Sequence, residues 1–262
     1  TETQKFLCLC IRHIDFIDID QVKFLYRKIG DQTIYKESKL NGVQSIVAHV
    51  LLSIFHDSEI PSHWLDEYND VDKKISNYMH ELEKVATLLK SINIDLLALK
   101  NSGITLGLYK HYGACPMGDV DVLVRKSDFR KAHRCLVNNG YLLKFRNPLE
   151  EDNIHEAEKS GGAEYSVILE DGSHLWFELQ WRPVAGRWIQ PSQEPKSSNL
   201  MDNSKSIYGS NVKILSPEDN LIQVALHTAK HSYVRAPGFR LHTDVDRIVS
   251  SENINWDLFV SK

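Results

Sequence analysis

The sequence predicts an α/β fold of the α+β type, in which a mixed sheet is flanked by helical regions toward both ends of the chain. Apolar residues recur at helical spacing within residues 41–92 and again after residue 216, whereas the stretch between them contains short apolar runs of strand length. These observations predict three regions: a mainly helical region at 1–92, a sheet-containing core at 93–190, and a linker followed by a helical region at 191–262.

The composition is that of a globular protein. The chain has 262 residues, of which 42% are hydrophobic and 25% charged, and its formal net charge is -4. This charge gives no general attraction to nucleic acid, so a nucleic-acid partner is not expected. No apolar run is long enough to cross a bilayer, and the first residues lack the layout of a signal peptide. We therefore expect a cytoplasmic protein without a membrane partner, of undetermined oligomeric state.

The four cysteines agree with this location. They contain no CxxC pair and no disulfide-framework spacing, which is typical of a reducing compartment and argues against structural zinc.

Two helical patterns, VQSIVAHVLLSIF and KKISNYMHELEKVATLLKSI, fill the second half of the N-terminal region. The core then opens with IDLLALK at residues 94–100, which has the length and composition of a buried strand. The segment that follows, SGITLGLYKHYG, predicts a turn at Ser102-Gly103 that leads into a helix.

Two aspartates lie one residue apart in the next strand-like run, GDVDVLV. Residues two apart on a strand share a face, so Asp119 and Asp121 converge while Val120, Val122 and Val124 face the core. An ionised carboxylate is costly to bury without a partner, so the pair indicates a bound or neighbouring cation. The alternative is a strand that emerges from a turn with two solvated acids.

A helix and a hairpin continue the core. Ser127 and Asp128 can cap a helix over FRKAHRCLVNN, and Gly140 is placed as its C-terminal stop before the strand-like GYLLKF. In AEYSVILEDGSHLWFELQW, the dipeptide Asp171-Gly172 between two strand-like runs predicts a tight hairpin turn. The second arm alternates between apolar and polar residues, so one face belongs to the core and the other displays Glu178.

The composition changes after the hairpin. Residues from about 183 to 212 are rich in Pro, Ser, Asn and Lys, which predicts a long loop or linker. A helix then begins with Ser216 as N-cap and Pro217 at its first position, and HTDVDRIVSS belongs to a second helix.

Taken in order, LLALKNSGITLGLY, MGDVDVLV, FELQWRP, LIQVALHTAKH and TDVDRIV resemble a nucleotidyltransferase-like family of bacteria that is largely uncharacterised. The family has the polymerase-beta-type nucleotidyltransferase fold. The resemblance covers roughly residues 94–249, and the order of the motifs is more specific than any one of them.

The resemblance implies transfer of a nucleoside monophosphate from an NTP, such as ATP, to a hydroxyl acceptor with Mg²⁺ or Mn²⁺. Asp119, Asp121 and Glu178 would be the catalytic metal ligands, and Glu178 would also draw the proton from the acceptor hydroxyl. Lys100 and Ser102, where the first strand meets a helix, would hold triphosphate oxygens. Lys230, in the His-x-x-x-His helix, would be available for phosphate.

Each of these residues also has a plainer interpretation. Lys100 can be a solvated residue at a strand end, Ser102 an ordinary N-cap, and Glu178 a surface residue of an alternating strand. The sequence selects neither the NTP nor the acceptor, which can be a small molecule, a natural-product peptide or a protein.

Three residues depart from the family pattern. Cys115 stands where the pattern often has Arg, Asn101 where Gly follows Lys, and Gln180 where His precedes Trp. These departures keep open a non-catalytic module that binds a nucleotide or sugar nucleotide with the same fold. Retention of all three acids favours the enzyme, and the acidic net charge disfavours a polymerising enzyme.

Overall fold

The computed structural model describes residues 1–109, 111–184, 190, 192–234 and 239–262. The chain divides into two compact units, each built from separate stretches of sequence. The first, here the helical unit, comprises Thr1–Ser76, Leu108–Pro116 and Thr228–Asn253. The second, the sheet unit, comprises Asn77–Gly107, Met117–His227 and Ile254–Lys262. The region borders predicted after residues 92 and 190 follow the linear sequence and stay predictions.

Helices account for most of the N-terminal third, as the apolar spacing predicts. In chain order, the α-helices of the described residues are α1 (Glu2–Cys10), α2 (Ile19–Ile29), α3 (Asp31–Leu40), α4 (Gln44–Ile54), α5 (His63–Ser91), α6 (Lys100–Gly107), α7 (Phe129–Asn138), α8 (Ile154–Ser160), α9 (Ser197–Asp202), α10 (Pro217–Val234), α11 (Arg240–Ser251) and α12 (Trp256–Ser261).

The core of the helical unit forms around α4. Every residue of this helix from Ser45 to Leu51 is buried, because its sequence is apolar on nearly all sides. Phe6 of α1 and Trp64 of α5 are fully buried in the same cluster, which also includes residues of α2 and α3.

The sheet unit contains one mixed sheet of seven strands. In chain order these are β1 (Leu96–Ala98), β2 (Asp119–Leu123), β3 (Leu142–Leu143), β4 (Gly162–Ile168), β5 (His174–Gln180), β6 (Lys205–Ser206) and β7 (Val212–Ile214). Their spatial order is β3-β4-β5-β2-β1-β7-β6. The pairs β2–β5 and β1–β7 are parallel, and the other neighbours are antiparallel. The predicted α/β class with a mixed sheet and flanking helices is therefore confirmed.

Alternation along β2 and β5 separates a core face from a polar face. Val120 and Val122 of β2, and Leu175, Phe177 and Leu179 of β5, are fully buried. The residues between them point to the opposite face of the sheet. This alternation brings the acidic side chains of several strands onto one surface.

Three local predictions need correction. The hairpin loop has three residues, because Leu169 and Ser173 still pair and only Gly172 is left-handed, at φ 80°. The predicted linker at 183–212 contains α9 and β6 among its described residues, and it ends where β7 begins. Ser102 and Gly103 are not a turn, since α6 already begins at Lys100.

The predicted start of the helix after Ser216 is confirmed. Helix α10 begins at Pro217, and the Ser216 Oγ accepts the Asp219 N–H at 3.4 Å. All four cysteines are free thiols. None of the helices within the described residues has both the length and the apolar character needed to span a bilayer.

Candidate functional site

Four carboxylates lie on the polar face of the sheet, where β4, β5 and β2 are neighbours. In the parallel β2–β5 pair Asp121 is opposite Glu178, and Asp119 lies two residues earlier on the same face. In the antiparallel β4–β5 pair Glu164 is opposite Glu178. We call the side chains of Asp119, Asp121, Glu164 and Glu178 the carboxylate face. The strand register thus brings the three sequence-predicted acids together.

Lys100 compensates the most buried of these acids. Its Nζ lies 2.5 Å from the Asp121 Oδ1, and the two side chains are only 17% and 7% exposed. Lys100 begins α6 in the left-handed region, at φ 50°, a conformation that costs a non-glycine residue about 1 kcal/mol or more. The backbone turn therefore directs the ammonium group at Asp121, which excludes the solvated strand-end interpretation of Lys100.

Ser102 and Gly103 pack the start of α6 against the sheet. Ser102 is 1% exposed, and its Oγ accepts the backbone N–H of Asp121 at 3.2 Å. A Cβ on Gly103 would lie 2.9 Å from the Ala98 carbonyl oxygen, so only glycine permits this close approach. The buried position of Ser102 favours a role in positioning Asp121. Its predicted contact with triphosphate stays a prediction.

Gln180, one of the departures from the family pattern, also belongs to the site. Its Nε2 donates to the Asp121 Oδ1 at 2.9 Å and to the Glu178 Oε2 at 2.8 Å. The side chain is buried, and its Oε1 has no hydrogen-bond partner. Gln180 therefore fixes the relative positions of two of the three acids, a role that sequence reasoning missed.

Arg146 is the second cation of the site. It follows β3, and its guanidinium donates to the Asp119 Oδ2 at 2.6 Å, to the Glu164 Oε2 at 3.0 Å and to the Glu178 Oε1. The guanidinium also lies over the Trp176 ring, 5.7 Å from its centroid. Sequence reasoning missed Arg146 because no pattern marks the loop around it.

The position of Glu164 could have been predicted from the sequence. The hairpin register places it across from Glu178, and two like charges at such a position require a cation.

A comparison with family models identifies the family of the chain. Residues 27–262 match the model of a family described as "Uncharacterised nucleotidyltransferase". The chain belongs to this nucleotidyltransferase family.

Two solved structures are similar to this member of the nucleotidyltransferase family. One is a candidate nucleotidyltransferase from Thermotoga maritima, at 12% identity and a TM-score of 0.40, with 60% of this chain and 88% of that chain covered. The other is an antigenic nucleotidyltransferase-like protein from Paracoccidioides brasiliensis, at 16% identity and a TM-score of 0.44, with 67% of this chain and 76% of that chain covered. The comparison with curated proteins gave no match.

Two acids of the carboxylate face, Asp121 and Glu178, differ in the direction of their pKa shifts. Burial raises the pKa of Asp121 well above its usual value, an effect that Lys100 opposes and that Glu178 and Asp119 increase. Burial also acts to raise the pKa of Glu178, but the nearby Lys100, a hydrogen bond with Asp121 and the Arg146 charge outweigh it and lower that pKa to about 2. Glu178 is therefore an anion at neutral pH, and a weak proton acceptor in this arrangement.

Lys230, the remaining predicted phosphate contact, lies in the part of α10 that belongs to the helical unit, whereas the carboxylate face belongs to the sheet unit. It is half-buried. Its contact with phosphate stays a prediction, and the side chain of His231, the second histidine of the His-x-x-x-His motif, lies outside the described residues.

The donor set fits a divalent cation in its chemistry. Carboxylate oxygens are the ligands that Mg²⁺ and Mn²⁺ prefer, and Asp119, Asp121 and Glu178 share one face. Within the part of the chain that the structure describes, no group of three or more acids, histidines or cysteines is spaced to hold a metal ion. Instead, the charges of Lys100 and Arg146 lie between the carboxylates.

Proposed function

We propose that the protein transfers a nucleoside monophosphate from an NTP to a hydroxyl group, with Mg²⁺ or Mn²⁺ bound by Asp119, Asp121 and Glu178. The observation that carries the proposal is the β2–β5 register, which places Asp121 opposite Glu178 and Asp119 on the same face. Membership of a nucleotidyltransferase family supports it.

The residues around the acids have separable roles in this proposal. Ser102 and Gln180 hold Asp121 in place, and Gln180 also holds Glu178. Lys100 balances part of the charge of the acids, and its position at the first residue of α6 suits a contact with triphosphate oxygens. These residues act by positioning, which is most of what a protein contributes to phosphoryl-type transfer.

The metal, when bound, would supply positive charge to the attacking hydroxyl oxygen and to the departing pyrophosphate. The hydroxyl oxygen forms a bond to the α-phosphorus. At the same time, the bond between the α-phosphorus and the oxygen that bridges the α- and β-phosphates breaks. The hydroxyl proton passes to solvent water, and pyrophosphate leaves with the electron pair of the broken P–O bond. The acceptor would be a small molecule, a natural-product peptide or a protein side chain.

A second candidate is a non-catalytic module that binds a nucleotide or a sugar nucleotide. It is favoured by Arg146, which already bonds to Asp119 and Glu178 and so satisfies these acids without a metal. The two candidates differ in whether pyrophosphate is released.

The test is a panel of α-labelled NTPs with Mg²⁺ or Mn²⁺, with and without cell extract as a source of acceptors. We expect pyrophosphate release and label on an acceptor with the wild type, and loss of both in Asp121→Asn. Asp202→Asn is the matched control, because Asp202 is an exposed carboxylate of α9 that pairs with Arg125 instead of the acids of the site. Nucleotide binding without pyrophosphate release under any condition would support the module instead.

A further inference from the structure

Arg146 contacts three of the four acids of the carboxylate face. Its Nη1 donates to the Asp119 Oδ2 at 2.6 Å and its Nη2 to the Glu178 Oε1. Its Nε donates to the Glu164 Oε2 at 3.0 Å, and its Nη2 donates to the Glu164 Oε1 at 3.4 Å. One guanidinium therefore bridges two of the three proposed metal ligands and a fourth acid that is outside the ligand set.

The bridge uses one oxygen of each of two proposed metal ligands, Asp119 and Glu178. A cation bound by both Asp119 and Glu178 must approach the side of these carboxylates where the guanidinium now lies, and two positive charges at this distance repel each other. Arg146 therefore cannot keep its present hydrogen bonds to Asp119 and Glu178 when a divalent cation binds there.

Glu164 can hold Arg146 when Arg146 leaves the other two acids. It lies in the segment between β3 and α8, and its side chain is 36% exposed. Its backbone N–H also donates to the Glu164 Oε2, at 2.8 Å. Arg146 can thus release Asp119 and Glu178 while it stays paired with Glu164. Lys100 has no such freedom, because its side chain is 17% exposed and its backbone begins α6.

We propose that Arg146 is a resident cation that competes with the divalent metal for Asp119 and Glu178, and that Glu164 holds Arg146 when the metal binds. The inference rests on the proposed function, since it takes these acids to be metal ligands. It makes Arg146 a positioning residue that offsets part of the negative charge of the metal-free site, and it predicts that metal affinity is set in part by the displacement of one arginine.

The test is Mn²⁺ binding to the full chain without nucleotide, measured by calorimetry. We expect Arg146→Ala and Arg146→Gln to bind Mn²⁺ at least about tenfold more tightly than the wild type, the scale for removing a like charge next to a carboxylate site. Arg130→Ala is the matched control, because Arg130 is 31% exposed and pairs with Glu158 instead of a proposed ligand. Its Mn²⁺ affinity should equal that of the wild type.

A second measurement follows the arginine itself. In the wild type, the Nε–H resonance of Arg146, assigned by its loss in Arg146→Gln, should move when diamagnetic Mg²⁺ saturates the site, while that of Arg130 stays in place. Equal or weaker Mn²⁺ affinity in both Arg146 variants, or an unmoved resonance at saturation, would overturn the competition.

Asp121→Asn separates this inference from the function on which it rests. If wild type binds Mn²⁺ and Asp121→Asn does not, the acids are the metal ligands, and unchanged affinity in the Arg146 variants then refutes the competition alone. If Asp121→Asn binds Mn²⁺ as tightly as the wild type, or if the wild type and the Arg146 variants do not bind it, both the proposed function and the competition fail.

Discussion

Replacing Lys100 by methionine removes the charge that compensates Asp121 while it keeps most of the side-chain stem. The ammonium lies 2.5 Å from the Asp121 Oδ1 in a pair whose side chains are 17% and 7% exposed. Because both side chains are largely buried, solvent does not replace the lost positive charge. Asp121 is then left opposite Glu178, another acid. We therefore expect Lys100→Met to lower the free energy of unfolding of the metal-free protein.

The magnitude follows from the burial of the pair. Removing one partner of a buried ion pair costs about 3 to 5 kcal/mol, because the other charge stays buried without a counterion. The pair retains some exposure, so the lower end, about 3 kcal/mol, applies here. Adding Asp121→Asn to Lys100→Met removes the uncompensated charge and should restore about 2 kcal/mol, since the two residues are in contact and their effects are not additive.

Urea unfolding in the presence of a chelator measures these differences. Lys90→Met is the matched control, because Lys90 pairs with Asp95 at 2.8 Å with both side chains considerably more exposed, 56% and 36%. An exposed pair of this kind is worth about 0 to 1 kcal/mol. The reasoning is refuted if Lys100→Met costs no more than Lys90→Met, or if Asp121→Asn further destabilises Lys100→Met.

Two further predictions concern packing and pH. Gly103→Ala would bring a Cβ to 2.9 Å from the Ala98 carbonyl oxygen, so it should lower the free energy of unfolding in urea by about 1 to 3 kcal/mol. Gly118→Ala is the control, because a Cβ there meets nothing within 4 Å. Equal costs of the two substitutions would contradict the close approach at Gly103. In the helical unit, burial raises the pKa of Asp244 to about 6, so its contribution to stability is present below about pH 4 and lost as the pH rises to 6. Burial lowers the pKa of His49 to about 4, so its contribution is lost as the pH falls from about 6.5 to 4, and the two effects oppose each other. Asp244→Asn should therefore gain about 3 kcal/mol of stability relative to the wild type between pH 4 and 6.5 in urea unfolding, and parallel pH profiles of variant and wild type would contradict the assignment.

The sequence predicted the strand faces of Asp119, Asp121 and Glu178 because two periodic signals define them, whereas their role as metal ligands came from the family resemblance and stays a prediction. Asp119 and Asp121 alternate with buried valines, and the hairpin at Gly172 positions Glu178 on the polar side of its strand. Strand periodicity decides which face a residue occupies, so the face on which each of these three side chains lies follows from the local sequence alone. Their convergence required one further fact, the parallel pairing of β2 with β5.

The strand β7 could not be predicted in the same way. It has three residues, follows a Ser- and Asn-rich stretch, and its parallel pairing with β1 is a contact between positions more than a hundred residues apart. Its stability comes from this tertiary pairing and from the burial of Val212 and Ile214, neither of which leaves a local pattern.

Arg146 and Gln180 were missed for different reasons. Arg146 lies in a loop, where no period links a side chain to a face, so its three acidic contacts are visible only in the structure. Gln180 was noticed only as a departure from the family pattern. Its contacts with Asp121 and Glu178 give it a positioning role that its place on the alternating face of β5 already permitted.

The central claim is that Asp119, Asp121 and Glu178 bind the metal of a nucleotidyl transfer reaction. Anomalous diffraction from crystals grown with Mn²⁺ and a non-hydrolysable NTP analogue tests it most directly. We predict a manganese peak within coordination distance, about 2.0 to 2.3 Å, of oxygens of these three residues, with the analogue's phosphates on the same ion. Nucleotide bound without a manganese peak at these carboxylates, or a peak held by other residues, would contradict the claim.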